Sequence, residues 1–261
     1  MTPRLVGMCH LPPLPGTCSW QGDSLANITD TALQDARTLE DAGFDAVLLQ
    51  NSLDRPTRER ADHLTVAQMT AIATTLKAAV SITIGVNVIK NDGPAAMAIA
   101  AASGADFIRV KVLTGAVLSA EGIVTGCAAE THVLQARSGT AVKVWADCYE
   151  PTSRPLVASD FDAAVADARD FGMADAVIVT GRDLDETLSL ARDTSSKSPR
   201  LPVVIGGKVD ARSIRAALSV ADAVIVGSAL KREPGIVGRV DLDCAMRIAK
   251  SAAQETYPGN D

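Results

Sequence analysis

The 261-residue chain is 47% hydrophobic, 21% charged and only 3% aromatic, with a net charge of −6. This is a globular profile with a core of Ala, Val, Ile and Leu, and it excludes an aromatic stacking platform or a broad basic surface for nucleic acid. No segment approaches the ~20 apolar residues of a membrane span, and the N-terminus lacks the basic start and long apolar stretch of a secretion signal.

Short apolar runs alternate with helical periods along the chain. A strand is predicted over Arg4–Leu11 and a helix over Asp30–Ala42. The next pairs are Ala46–Asn51 with Thr65–Ala79, Ser81–Ile89 with Pro94–Ser103, and Phe107–Leu113 with Ala128–Ser138. The last four are Ala141–Asp147 with Phe161–Phe171, Ala176–Thr180 with Asp185–Arg192, Pro202–Gly206 with Ala211–Val220, and Ala223–Val226 with Leu242–Ala253. The strands are near-continuous apolar runs, as expected where both sheet faces are covered.

One junction recurs, in "EDAGFDAVLL", "AASGADFIRV", "DFGMADAVIV" and "SVADAVIVG". A helix closes, a Gly or other small residue turns the chain, an Asp follows, and a strand begins. Repetition of one junction implies repetition of one βα unit. Eight such units in a chain of this length match a single α/β domain over residues 1–261, a closed (β/α)8 TIM barrel. The alternative, an open doubly wound sheet, usually carries G-x-G-x-x-G after its first strand; here "PPLPG" follows instead. No domain linker is evident; "DTSSKSPR" reads as a surface loop and "ETYPGND" as a frayed tail.

The five cysteines are scattered and form no C-x-x-C pair, so neither a zinc site nor a disulfide framework is implied. A reducing cytoplasm is the default reading, and no metal or cofactor is expected. His10 with Asp147 would make only a weak metal site, lacking an H-x-H or a carboxylate cluster.

The last two strands both end in glycine turns, "VVIGGKVD" and "AVIVGSALK". In such a barrel the loops after strands seven and eight commonly bind phosphate through exposed backbone N–H groups. Gly206, Gly207, Gly227 and Ser228 are therefore candidate phosphate contacts, with Lys208 or Lys231 available to add charge. The plainer reading is a pair of tight turns.

Side chains alternate faces along a strand. "DFIRVKVLTG" puts Arg109 and Lys111 on one face and Ile108, Val110 and Val112 on the other, so the cations should point inward. By the same logic Lys143, Trp145 and Asp147 share a face, as do Thr83, Gly85 and Asn87, and Met8 with His10; Gln50 or Asn51 ends the second strand. Arg109 and Asp147, on neighbouring strands, can pair; the structural reading is an ion pair plugging the barrel. Lys111 and Asp147 lie nearer the catalytic face, as general acid and base or as a hold on an anionic substrate, with Asn87 and His10 beside them. A Schiff base on Lys111 is a further alternative that nothing in the sequence favours. His63 and His132 read as solvated, the cysteines as small buried hydrophobes, and Asp183 and Asp185 as helix caps.

Several segments resemble the BtpA/SgcQ family: "GMCHLPPLPG", "GVNVIKND", "GADFIRVKVLTGA" with "EGIVTG", "WADC", "ADAVIVTG" and "IVGSALK", in order across nearly the whole chain. The resemblance implies a (β/α)8 barrel related to ribulose-phosphate-binding barrels. The polar positions it carries over are His10, Asn87, Asn91, Asp92, Arg109, Thr114, Gly115, Asp147, Thr180, Gly181, Gly227 and Lys231. The predicted substrate-binding set is Arg109, Asn51, Asn91, Thr180, Gly206, Gly207, Gly227 and Ser228. Departures fall at Gln50, Lys111, the segment Cys148–Pro155 and Gly206–Asp210.

Two functions follow as expectations. The first is an enzyme acting on a phosphorylated metabolite, a sugar phosphate or nucleotide, by isomerisation, C–C cleavage or glycosidic cleavage, in a self-associating homo-oligomer. In it, Asp147→Asn should abolish function and spare the fold. The second is a non-catalytic assembly or regulatory protein of the BtpA type.

Overall fold

The computed structural model describes residues 2–148, 152–156 and 160–253. The tail "ETYPGND" and positions 149–151 of the departing segment lie outside the described residues. Eight strands and eight helices alternate: β1 (Leu5–His10), α1 (Leu25–Asp41), β2 (Ala46–Gln50), α2 (His63–Ala79), β3 (Thr83–Asn87), α3 (Gly93–Ser103), β4 (Phe107–Val110), α4 (Ala128–Ser138), β5 (Lys143–Asp147), α5 (Phe161–Ala166), β6 (Ala176–Val179), α6 (Leu184–Lys197), β7 (Val203–Gly206), α7 (Ile214–Leu218), β8 (Ala223–Val226) and α8 (Leu242–Ala253). The strands close into a parallel barrel in sequential order, with β8 beside β1. This is the (β/α)8 architecture, and its C-terminal strand ends converge on one face.

The recurring Asp junction has a geometric basis. The carboxylates of Asp45, Asp106, Asp175 and Asp222 accept the N–H groups of Leu5, Ile84, Val144 and Val203 at 2.8, 2.8, 2.9 and 2.8 Å. The N–H of each Asp returns the bond to the carbonyl of the same partner. Each Asp thus clamps the start of an odd strand to the even strand it precedes, satisfying donors that would otherwise be lost at the barrel's lower rim. The clamp stands ahead of β2, β4, β6 and β8, so the repeating unit is two βα pairs rather than the single one expected.

Two apolar layers result. Outward residues such as Leu49, Val86, Ile108 and Val144 pack under the helices; inward residues such as Met8, Leu48, Phe107, Trp145 and Ile178 fill the barrel. Phe107 and Trp145 stack inside it, with ring centroids 4.1 Å apart. Their bulk needs an empty place on β3. A Cβ on Gly85 would lie 2.2–2.7 Å from the Phe107 ring. Gly85→Ala is therefore expected to displace the stack and cost about 1–3 kcal/mol. Chemical denaturation would read the loss, and tryptophan emission would report the moved Trp145.

β4 ends at Val110, short of the predicted Leu113, for a local reason. The Asn91 side chain takes over the ladder there: its Oδ1 accepts from the Val112 N–H at 2.8 Å and its Nδ2 donates to the Val112 carbonyl at 2.8 Å. Beyond it stands a hairpin that the periodicity did not predict, Ala116–Ser119 against Gly122–Thr125, with Arg154–Pro155 as a third strand. α7 is also shorter than the predicted Ala211–Val220, because Asp210 holds the N–H groups of Arg212 and Ser213 in a turn before the helix begins.

Candidate functional site

The inward faces at the upper strand ends carry His10 on β1, Gln50 on β2, Asn87 on β3, Arg109 on β4 and Asp147 on β5. Thr180 follows β6, Gly206 ends β7 and Gly227 follows β8. Lys111 stands one step above Arg109. With Asp147, Thr114 and Leu156 it lines a cavity of about 370 Å³ beneath the hairpin. The second strand ends inward with Gln50, not Asn51, as its alternation with Ala46 and Leu48 requires.

Arg109 and Asp147 form a two-bond fork: Nε donates to Oδ2 at 2.9 Å and Nη2 to Oδ1 at 2.7 Å. Both side chains are buried, 8% and 0% exposed. The fork stands one alternation above Phe107 and Trp145 on the same two strands and leaves both carboxylate oxygens of Asp147 engaged, a different state from the available general base expected. Gly206 belongs to the same arrangement. A Cβ there would lie 2.4 Å from Ile178 Cγ2 and 3.5 Å from Arg109 Nη2.

His10, Gln50 and Asn87 are lateral neighbours on β1, β2 and β3 by register. They are 9%, 8% and 1% exposed, and His10 Nδ1, Gln50 Oε1 and Asn87 Oδ1 are buried without a hydrogen-bond partner. The amide of Asn87 is oriented by its Nδ2, which donates to the Arg109 carbonyl at 2.7 Å. The His10 proton affinity is pushed down, to a pKa of about 4, by burial first and then by the positive charges of Lys231, Arg109 and Lys111. The imidazole is neutral at pH 7.

The two glycine turns end adjacent strands, with Gly206 paired to Ile225. Gly207 has φ +113°, where side chains other than hydrogen are strained. Gly227 sits against His10: a Cβ on it would be 3.4 Å from the ring. Ser228 opens a short 3₁₀ turn, Ser228–Leu230. The two nearby lysines are aimed elsewhere. Lys208 Nζ donates to the carbonyls of Gly181 and Arg182, and buried Lys231 donates to the Gly238 carbonyl.

Other predicted contacts are committed to the framework. Asn51 donates to Asp54 and accepts from the Ile89 N–H, tying the second loop to the third. Asn91 completes β4, and Asp92 caps α3 while accepting the Ala61 N–H. The Thr180 hydroxyl donates to the Gly206 carbonyl at 2.6 Å, bracing the first glycine turn. Asp183 caps α6, as expected. His132 is not solvated: its ring bonds Gln135 and the Gly172 carbonyl. Gln50 is the mouth residue missing from the predicted contacts, although strict alternation along Ala46–Gln50 selects it. No cluster of three or more metal-ligating side chains occurs, and no helix is long and apolar enough to span a membrane, among the described residues.

Comparison with known proteins agrees with the motifs. The model of the BtpA family matches residues 1–254. An uncharacterised protein of Thermococcus kodakarensis is 39% identical over 255 residues, 96% of this chain and 95% of the relative. The photosystem I biogenesis protein BtpA of Synechocystis is 34% identical over 247 residues, 91% of this chain and 83% of the relative. Among solved structures, a thiamine phosphate pyrophosphorylase from Pyrococcus furiosus aligns with a TM-score of 0.59 at 15% identity, covering 95% of each chain, and so shares the fold alone. Motif order, barrel and whole-length match together place this chain in the BtpA family.

Proposed function

We propose that the protein is an enzyme acting on a phosphorylated small molecule, a sugar phosphate or nucleotide, at the C-terminal mouth of the barrel. The phosphate rests on the backbone of Gly206–Gly207 and Gly227–Ser228. The remainder of the substrate lies over His10, Asn87, Arg109 and Lys111. The observation that carries this reading is the pair of adjacent glycine turns, open at Gly207, beside a polar layer in which His10, Gln50 and Asn87 each bury an unpartnered atom. A preorganised anion site of this kind lines backbone donors and positive charge around one point. A barrel relative in fold is named for a phosphate-bearing substrate, which accords with the reading. With Asp147 held by Arg109, proton transfer falls to Lys111, and isomerisation, C–C cleavage and glycosidic cleavage are all within its reach.

Millimolar inorganic phosphate or ribose 5-phosphate is expected to raise the melting temperature, since a ligand at 100 times its Kd adds about 2.7 kcal/mol to the folded state. Gly207→Val, which forces a β-branched residue to φ +113° and fills the turn, should remove that rise. An unchanged melting temperature of the wild-type protein with either ligand counts against the phosphate site.

A second reading, a non-catalytic assembly role, draws on the hairpin beside the mouth, where Leu118, Ile123 and Leu156 are each about half exposed. Charged substitutions at Leu118 and Ile123 would then abolish function in cells, while Lys111→Met would not.

A further inference from the structure

We infer that His10, Gln50 and Asn87 form a hydroxyl-reading row, which makes the substrate of the proposed phosphate site a polyol phosphate. This deepens the reading above and rests on it.

The three side chains occupy consecutive strands in register, and each buries a polar atom with no protein partner. A buried polar atom left unpaired is costly, so three in one row mark a place where a ligand supplies the missing bonds. The chemistry of the row selects that ligand. Asn87 Oδ1 is held as an acceptor because its Nδ2 is spent on the Arg109 carbonyl. Gln50 offers a carbonyl oxygen, and His10 is a neutral imidazole. Two carbonyl acceptors and an imidazole Nδ1, which accepts or donates according to its tautomer, call for ligand groups that can do both. Hydroxyls fit. Adjacent strands lie about 4.8 Å apart, and a carbon chain bearing successive hydroxyls can reach acceptors at that spacing. Gly227 lies against the His10 ring, so the row begins beside the second glycine turn. A phosphate on the turns and hydroxyls along β1 to β3 therefore belong to one molecule.

Calorimetric titration of the full chain with inorganic phosphate, n-butyl phosphate and D-ribose 5-phosphate tests this. Ribose 5-phosphate should bind at least about tenfold more tightly than butyl phosphate, the difference expected for one or two satisfied buried acceptors. Gln50→Met, which keeps length and removes the acceptor, should bring that ratio close to one and leave inorganic phosphate unchanged. The same variant should unfold at an equal or higher denaturant concentration, because it removes an unpaired buried oxygen. A structural role for Gln50 predicts the opposite. Equal binding of ribose 5-phosphate and butyl phosphate by the wild type overturns the row and leaves the phosphate turns standing, as does an unchanged ratio in Gln50→Met. Gln50-dependent binding of ribose 5-phosphate without binding of either simple phosphate retains the row and overturns the turns. Failure of all three ligands overturns both.

Discussion

Asp147→Asn is expected to destabilise the protein by about 3–5 kcal/mol, because it strips the charge partner from a guanidinium sealed inside the barrel. The cost comes from Arg109, whose side chain is 8% exposed and loses the carboxylate charge that both of its bonds to Asp147 engage. Arg109→Met alone should cost a similar amount, by stranding the carboxylate. Arg109→Met with Asp147→Leu should recover most of the loss, since replacing a whole buried pair by apolar groups is often neutral or favourable. Denaturant titration of the wild type, Arg109→Met, Asp147→Leu and their double variant closes the cycle and gives the coupling directly. If Asp147→Asn left the midpoint unchanged, the fork would not be a desolvated pair. This result differs from the expectation drawn from the chain alone, that Asp147→Asn would silence function and spare the fold. Lys111→Met is the cleaner probe of chemistry, because Lys111 stands at the cavity rather than in the plug.

The second large effect is on pH dependence. His10 has a pKa of about 4 in the folded protein against an ordinary 6.5. As pH falls below 6.5 the unfolded chain takes up this proton before the folded one does. The stabilisation is complete above pH 6.5, declines through the interval, and is lost once pH passes about 4. A tenfold difference in proton affinity between folded and unfolded chain is worth about 1.4 kcal/mol, so the whole contribution is on the order of 3 kcal/mol. His10→Gln removes the titration. Wild type and variant, compared by chemical denaturation at pH 7 and at pH 4.5, should show the wild type losing more stability on acidification. Parallel curves would mean that burial does not hold His10 below its ordinary proton affinity. The comparison is differential because carboxylates titrate in the same interval in both proteins.

The predictions at Gly85 and at the glycine turns depend on the same property of the barrel. Its interior is full below the mouth and open at it. Gly85 yields its space to Phe107, and Gly206 yields space to Ile178 and Arg109. Gly207, by contrast, has no atom near its missing Cβ. Substitutions at the first two test packing, and substitutions at the third test binding.

Eight strand–helix pairs were legible in the linear pattern because a buried parallel strand needs an apolar run and each helix needs a small residue to leave it. The inward direction of Arg109, Asp147, Asn87 and His10 was equally legible, since alternation is a local property of extended chain. The hairpin over Ala116–Thr125 was missed for the converse reason. Its strands are four residues each and half exposed, and they are held by pairing with one another and with Arg154–Pro155 rather than by a strong apolar period.

Which partner each polar group takes was settled in three dimensions. Asn51, Asn87 and Asn91 are one residue type on neighbouring segments. Asn51 ties loops together, Asn91 completes a strand, and Asn87 turns an unbonded oxygen into the mouth. Nothing local separates them, because a hydrogen bond across the barrel depends on the stagger of strands tens of residues apart. The covalent order of the residues was enough to say that the chain closes into a ring and which side chains enter it. The folded ring alone assigned those side chains to one another, and left His10, Gln50 and Asn87 with bonds still to make.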